Sequence, residues 1–93
     1  TLSLNGRNMT NLGFFRKYII QYLTDHPGLN KNMHIICRQL QSTAHGVPLE
    51  IYVFSSDKRW ANYEYIMADI FDHVMASVRY FDLEIFELPS SIG

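Results

Sequence analysis

Asp69, Asp72 and His73 stand at i, i+3 and i+4 within an apolar-periodic stretch, so on a helix two carboxylates and an imidazole converge on one face. Side chains of these types bind zinc, which takes its ligands from Cys, His, Asp and Glu. The other histidines, His26, His34 and His45, fall in separate segments, and no HExxH or paired Cys/His pattern completes a set. The three residues therefore read as a solvated or hydrogen-bonded helix face, and no metal is expected. Cys37 is the single thiol, set between Ile36 and Arg38 in a strand-like run. A nucleophilic thiolate is favoured beside a helix N-terminus, and none adjoins Cys37, so it reads as a packed core residue. Ser55 and Ser56 lack the GxSxG elbow that exposes a nucleophile and read as capping residues. Gly6, Gly13, Gly28, Gly46 and Gly93 are isolated, which leaves no glycine-rich phosphate loop. Neither catalysis nor a cofactor is expected.

The elements that would position these residues follow from periodicity. Leu12, Phe15, Ile19, Tyr22 and Leu23 recur every three or four residues, opposite Arg16, Lys17 and Gln21. This predicts an amphipathic helix, entered at Thr10 or Asn11 and stopped at His26-Pro27-Gly28. Met33–Gln41 has strand composition, Ser42–Pro48 supplies turn chemistry, and Leu49, Ile51 and Val53 alternate with Glu50, Tyr52 and Phe54. An antiparallel hairpin is predicted, its register left open by the long loop. After Ser55-Ser56-Asp57, Trp60, Tyr63, Ile66, Met67, Ile70, Val74 and Val78 keep helical spacing. Leu83–Leu88, bounded by Asp82 and Pro89, reads as a short last strand.

Helix, hairpin, helix, strand is a ferredoxin-like βαββαβ order of the α+β class without a convincing first strand. Thr1–Leu4 is short and polar for the central place that strand holds. The strand is expected to be lacking from the chain or shared with another copy. Residues 1–10 thus read as a linker or short strand, 11–88 as one α+β domain and 89–93 as a tail.

Composition narrows function. The chain has 93 residues, 47% hydrophobic and 14% aromatic, enough for one domain burying roughly 60–65% of its unfolded surface. A formal net charge of −1 with dispersed Lys and Arg offers no field for phosphates or acidic lipids. No apolar run approaches the roughly 20 residues of a membrane span, and no signal-peptide start is present. The single cysteine excludes an intrachain disulfide and fits a reducing compartment. Paired aromatics such as Tyr52 and Phe54 on a ferredoxin-like sheet can stack RNA bases, but the basic-Gly-aromatic pattern of an RRM strand is absent and Glu50 stands where phosphates need a cation.

If both helices cover the face bearing Leu49, Ile51 and Val53, the other face carries Ile36, Tyr52, Phe54 and Phe86 or Leu88. An apolar patch of several hundred square ångströms usually marks a protein contact. Tyr52, Phe54 and Phe86 are the expected contact residues, with Arg38 and Glu50 as a cross-strand polar pair.

Whole phrases of the sequence carry a resemblance: Gly6-Arg7, Thr10-Asn11-Leu12-Gly13 with Phe15-Arg16 and Tyr18, Arg38-Gln39-Leu40, Gly46 through Phe54, and Trp60 with Tyr63-Glu64, Ile66 and Asp69 through His73. Over about residues 6 to 88 the chain resembles the C-terminal cytoplasmic region of MscS-type mechanosensitive channels, specifically the YbdG-like, miniconductance branch. The resemblance implies a homo-oligomeric parent, most often a heptamer, in a bacterial inner membrane, with this domain on the cytoplasmic side. There it would help to assemble the vestibule below a tension-gated pore that opens in hypo-osmotic shock. It implies no nucleic acid and no small-molecule substrate, and the membrane would be reached only through transmembrane segments this chain lacks. By itself the chain is expected to be soluble. The alternative from another class is an ACT-like regulatory module, in which paired domains hold a small metabolite.

Overall fold

In a computed structural model, which describes residues 2–6, 9–57 and 59–86, the elements in chain order are β1 (Leu2–Gly6), α1 (Asn11–Asp25), β2 (Ile36–Gln39), β3 (Val47–Tyr52), α2 (Trp60–Ser77), a one-turn 3₁₀ helix (Val78–Phe81) and β4 (Leu83–Ile85). The four strands form one antiparallel sheet in the order β2-β3-β1-β4, an α+β arrangement compatible with a ferredoxin-like sandwich. Leu88 and residues 89–93, read from the sequence as strand end and tail, lie outside the described residues, as does Arg7.

The first strand is present and interior, which corrects the expectation that it is lacking or shared. Leu2 and Leu4 alternate with Ser3 and Asn5, so one face of β1 is apolar however polar the segment reads as a whole. Leu2 pairs with Leu49 and Leu4 with Val47 on one side, and Leu4 pairs with Ile85 on the other. Leu4 is fully buried as a result. Three to five residues suffice for a central strand when both edges are bonded and one face meets the core.

The predicted hairpin forms, in the register Ile36↔Tyr52, Cys37↔Ile51, Arg38↔Glu50 and Gln39↔Leu49. β2 is shorter than the predicted Met33–Gln41, and Pro48 explains its end. Leu40 donates its N–H to the Pro48 carbonyl at 2.9 Å, but proline has no N–H to return, so the ladder stops there. Gly46 closes the loop at φ 126°, a conformation open to glycine at no steric cost.

Both helices pack on the face of the sheet that carries Leu2, Leu4, Cys37, Leu49 and Leu83. α1 contributes the predicted stripe, Leu12, Phe15, Ile19 and Leu23, each 0–1% exposed. Burying side chains of this size contributes roughly 1.5–3 kcal/mol each. Phe15 meets Phe81 of the 3₁₀ turn with ring centroids 5.0 Å apart, and Asn11 donates its side-chain amide to the Phe81 carbonyl at 2.9 Å. α2 buries only Ile70, Val74 and Ser77 fully. Trp60, first in its predicted apolar stripe, is 75% exposed, and Tyr63 is exposed too, so that part of the stripe is corrected.

The turn before α2 is built by its own polar residues. Asp57 N–H donates to Ser55 Oγ, and the Ser56 hydroxyl donates to the Gly28 carbonyl. Asp57 accepts the Arg59 backbone N–H at 2.9 Å, the Arg59 guanidinium at 2.8 Å and the Asn62 amide at 2.7 Å. These bonds, the Arg59 side chain first among them, hold its carboxyl well below the usual carboxylate range. The serines therefore shape the turn while Asp57 brackets the helix start.

Candidate functional site

Alternation along β3 sends Glu50, Tyr52 and Phe54 to the face of the sheet away from the helices, and β2 adds Ile36 and Arg38 beside them. Ile36, Tyr52 and Phe54 are 40%, 55% and 37% exposed, with the two rings in edge contact at 5.5 Å between centroids. In the next row Arg38 Nη2 lies 2.7 Å and Nε 2.8 Å from Glu50 Oε1, a charge-assisted pair directly across the strands. Four of the five sequence-predicted contact residues, Arg38, Glu50, Tyr52 and Phe54, thus form one continuous patch.

Phe86 shares their face of the sheet but stands apart from them. Its N–H bonds the Ser3 carbonyl at 2.9 Å, which places it in the row of Ser3 and Pro48, beyond the Arg38–Glu50 row and on the β4 side. There its ring stacks on His45, centroids 4.3 Å apart. The hairpin loop carries His45 to that position, which strand alternation alone does not reveal.

A second apolar surface lies on α2. Trp60, Tyr65, Phe71 and Met75 are 75%, 76%, 48% and 36% exposed, with the small Ala61 and Ala68 and the charged Glu64 and Asp72 between them. At 100° per residue Tyr65, Met75, Ala61 and Ala68 lie on the side opposite Ile70, Val74 and Ser77, whereas Trp60 and Phe71 lie on its flank. Exposed aromatic side chains thus extend well beyond the buried stripe of α2, with Glu64 and Asp72 among them. The sheet patch and this helix face lie on opposite layers of the sandwich.

Asp69 and His73 of α2 both face α1, where they share Tyr22 as a neighbour and otherwise take different partners. His26 Nε2 lies 3.1 Å from Asp69 Oδ2, and the Tyr22 hydroxyl lies 3.5 Å from the same oxygen. His26 Nδ1 accepts the Gly28 N–H at 2.9 Å, so the neutral ring carries its proton on Nε2 and donates it to Asp69. His73 stacks on Tyr22, centroids 3.8 Å apart, and hydrogen-bonds with the Tyr18 hydroxyl at 2.6 Å. Burial first, then the Asp69 charge and hydrogen bond, push the Tyr22 hydroxyl pKa up. The cluster ties the end of α1 to the middle of α2. Among the described residues no group of three His, Cys, Asp or Glu is placed to hold a metal ion.

Cys37 is 7% exposed, with Ile51 as its strand partner. Burial pushes its thiol up to about 11, against a smaller lowering by the Arg16 guanidinium. At neutral pH this is a protonated packing residue. No family model and no solved structure matches the chain. Among the described residues no helix is long and apolar enough to cross a membrane.

Proposed function

We propose that this chain is a non-catalytic assembly domain, a ferredoxin-like sandwich from the cytoplasmic end of an MscS-type mechanosensitive channel. The observation that carries the assembly reading is the pair of apolar patches on opposite layers of one sandwich: Ile36, Tyr52 and Phe54 on the sheet, and Trp60, Tyr65, Phe71 and Met75 on α2. A two-fold dimer needs only one self-complementary patch, whereas a closed ring of more than two copies needs two different patches, each meeting the other on the next copy. The sheet patch of one copy would receive α2 of its neighbour. The Arg38–Glu50 pair would border that contact and fix its registry, since misplacing either charge against an apolar neighbour leaves it unpaired.

The channel assignment rests on the resemblance of the separated phrases from Gly6 to His73, while the strand order β2-β3-β1-β4 with a helix after β1 and after β3 supports the ferredoxin-like sandwich alone. In this role the domain forms part of a cytoplasmic vestibule wall, most often heptameric, below a pore that other segments of the parent supply. Ions would pass the wall when tension opens that pore.

Light scattering across a concentration series tests assembly directly. The expected result is a molar mass that rises with concentration above that of a single chain. A constant monomer mass at the highest attainable concentration would remove self-assembly through these patches. Patch-clamp recording of the full-length gene product tests the channel assignment separately, with tension-gated current expected.

A further inference from the structure

A cavity of about 180 Å³ lies between α2 and the inner face of the sheet. Its walls include Leu49, Ile51 and Val53 from the β3 side and Met67, Ile70 and Phe71 from α2, and every side chain that lines it is apolar. The gap has a structural origin. α1 comes close to the sheet at β2, whereas α2 makes no comparably close backbone approach to any strand, so its side chains bridge to the β3 side. Phe71, on the flank of α2 and 48% exposed, is the lining residue most open to solvent.

Such a space favours neither water nor close packing. A water there finds no polar side chain among the two to four partners it needs, and an enclosed apolar void of about 150 Å³ takes up benzene; this space is of that size but partly open to solvent beside Phe71. Side chains around a void lose the dispersion contacts that a ligand of matching shape would restore. Two of the walls favour a ring in particular: the Met67 thioether makes favourable contacts with aromatic edges, and Phe71 offers a partner for edge-to-face packing.

We propose that this cavity is a binding site for a small, uncharged aromatic ring, about the size of benzene, held without hydrogen bonds between α2 and β3. The cavity lies on the inner side of the sheet, away from the Tyr52 patch, and shares only Phe71 with the α2 face of the assembly reading. Binding there would brace α2 against the sheet.

The test is a titration of the 93-residue chain with benzene, followed by methyl NMR. Saturable shifts are expected at the methyl groups of Leu49, Ile51, Met67 and Ile70, with none at Leu12 or Leu23 on the α1 side. Val53→Phe fills the space from the half-buried wall and should weaken binding at least tenfold while leaving circular dichroism unchanged. If that variant does not fold, the position of the shifts in the unaltered chain decides the matter. The proposal is overturned by an absence of saturable shifts up to the solubility limit, by shifts that follow exposed aromatics such as Trp60 instead, by equal binding of charged benzoate, or by tighter binding of n-hexane than of benzene.

Discussion

A Cβ placed on Gly46 would stand 2.6 Å from the carbonyl oxygen of Leu4, so the hairpin loop meets β1 backbone to backbone. Gly46 also holds φ at 126°, where a side chain is strained whatever the space. Gly46→Ala should therefore destabilise the fold by about 2–4 kcal/mol, combining a strained conformation with a displaced neighbour. Urea unfolding measures it. A loss under about 1 kcal/mol would show that the loop moves aside and that β1 does not depend on the contact.

The rotation of α2 is open to a paired test. Ile70 is 5% exposed and Trp60 is 75% exposed. Ile70→Ala should cost roughly 2–5 kcal/mol through lost burial and a residual cavity. Trp60→Ala, although it removes the larger side chain, should stay within about 0.5 kcal/mol. The reverse ranking in thermal or denaturant unfolding would mean that α2 is turned the other way.

That pair also shows what the sequence can and cannot reveal. α1 was legible because its apolar residues occupy one stripe and its other side carries Arg16, Lys17 and Gln21, so periodicity selects a single buried face. α2 carries exposed aromatics well outside its buried stripe, so periodicity identifies the helix but does not choose its face, and it places Trp60 inward. Leu2 and Leu4 were discounted because a short strand gives only two apolar positions, and its central place depends on pairing with residues more than 40 positions away. The outer sheet patch was readable from the alternation of Glu50, Tyr52 and Phe54. The displacement of Phe86 toward His45 was not, since it depends on where the loop returns.

Cys37 gives the fold a defined weakness at high pH. Its thiol is raised from an ordinary value of 9.0 to about 11 by burial, so the folded state holds the proton more tightly than the unfolded state. That contribution is fully present below the ordinary value and is lost as pH rises through about 11. Stability should therefore decline across this interval in wild type and decline less in Cys37→Ala, measured as the pH dependence of the urea midpoint. Alkylation by iodoacetamide at pH 8 should be slow in the folded chain. Rapid labelling there would show that Cys37 is exposed by local opening.

Head-to-tail assembly makes a prediction that a two-fold contact does not. Phe54→Asp places a charge on the sheet patch and leaves the α2 face intact, while Tyr65→Asp does the converse. Both side chains are exposed, at 37% and 76%, so neither change should alter the helical circular dichroism signal. Each variant alone should lose self-association, because one of its two unlike surfaces is blocked. Mixed in equal amounts, they should recover a dimer that grows no further, since the intact α2 face of one variant meets the intact sheet patch of the other. In an isologous contact each patch meets its own copy, so one variant would keep its association and mixing would restore nothing. Sedimentation velocity on the separate and mixed variants reads the difference, and association of Phe54→Asp alone would take the sheet patch out of the interface.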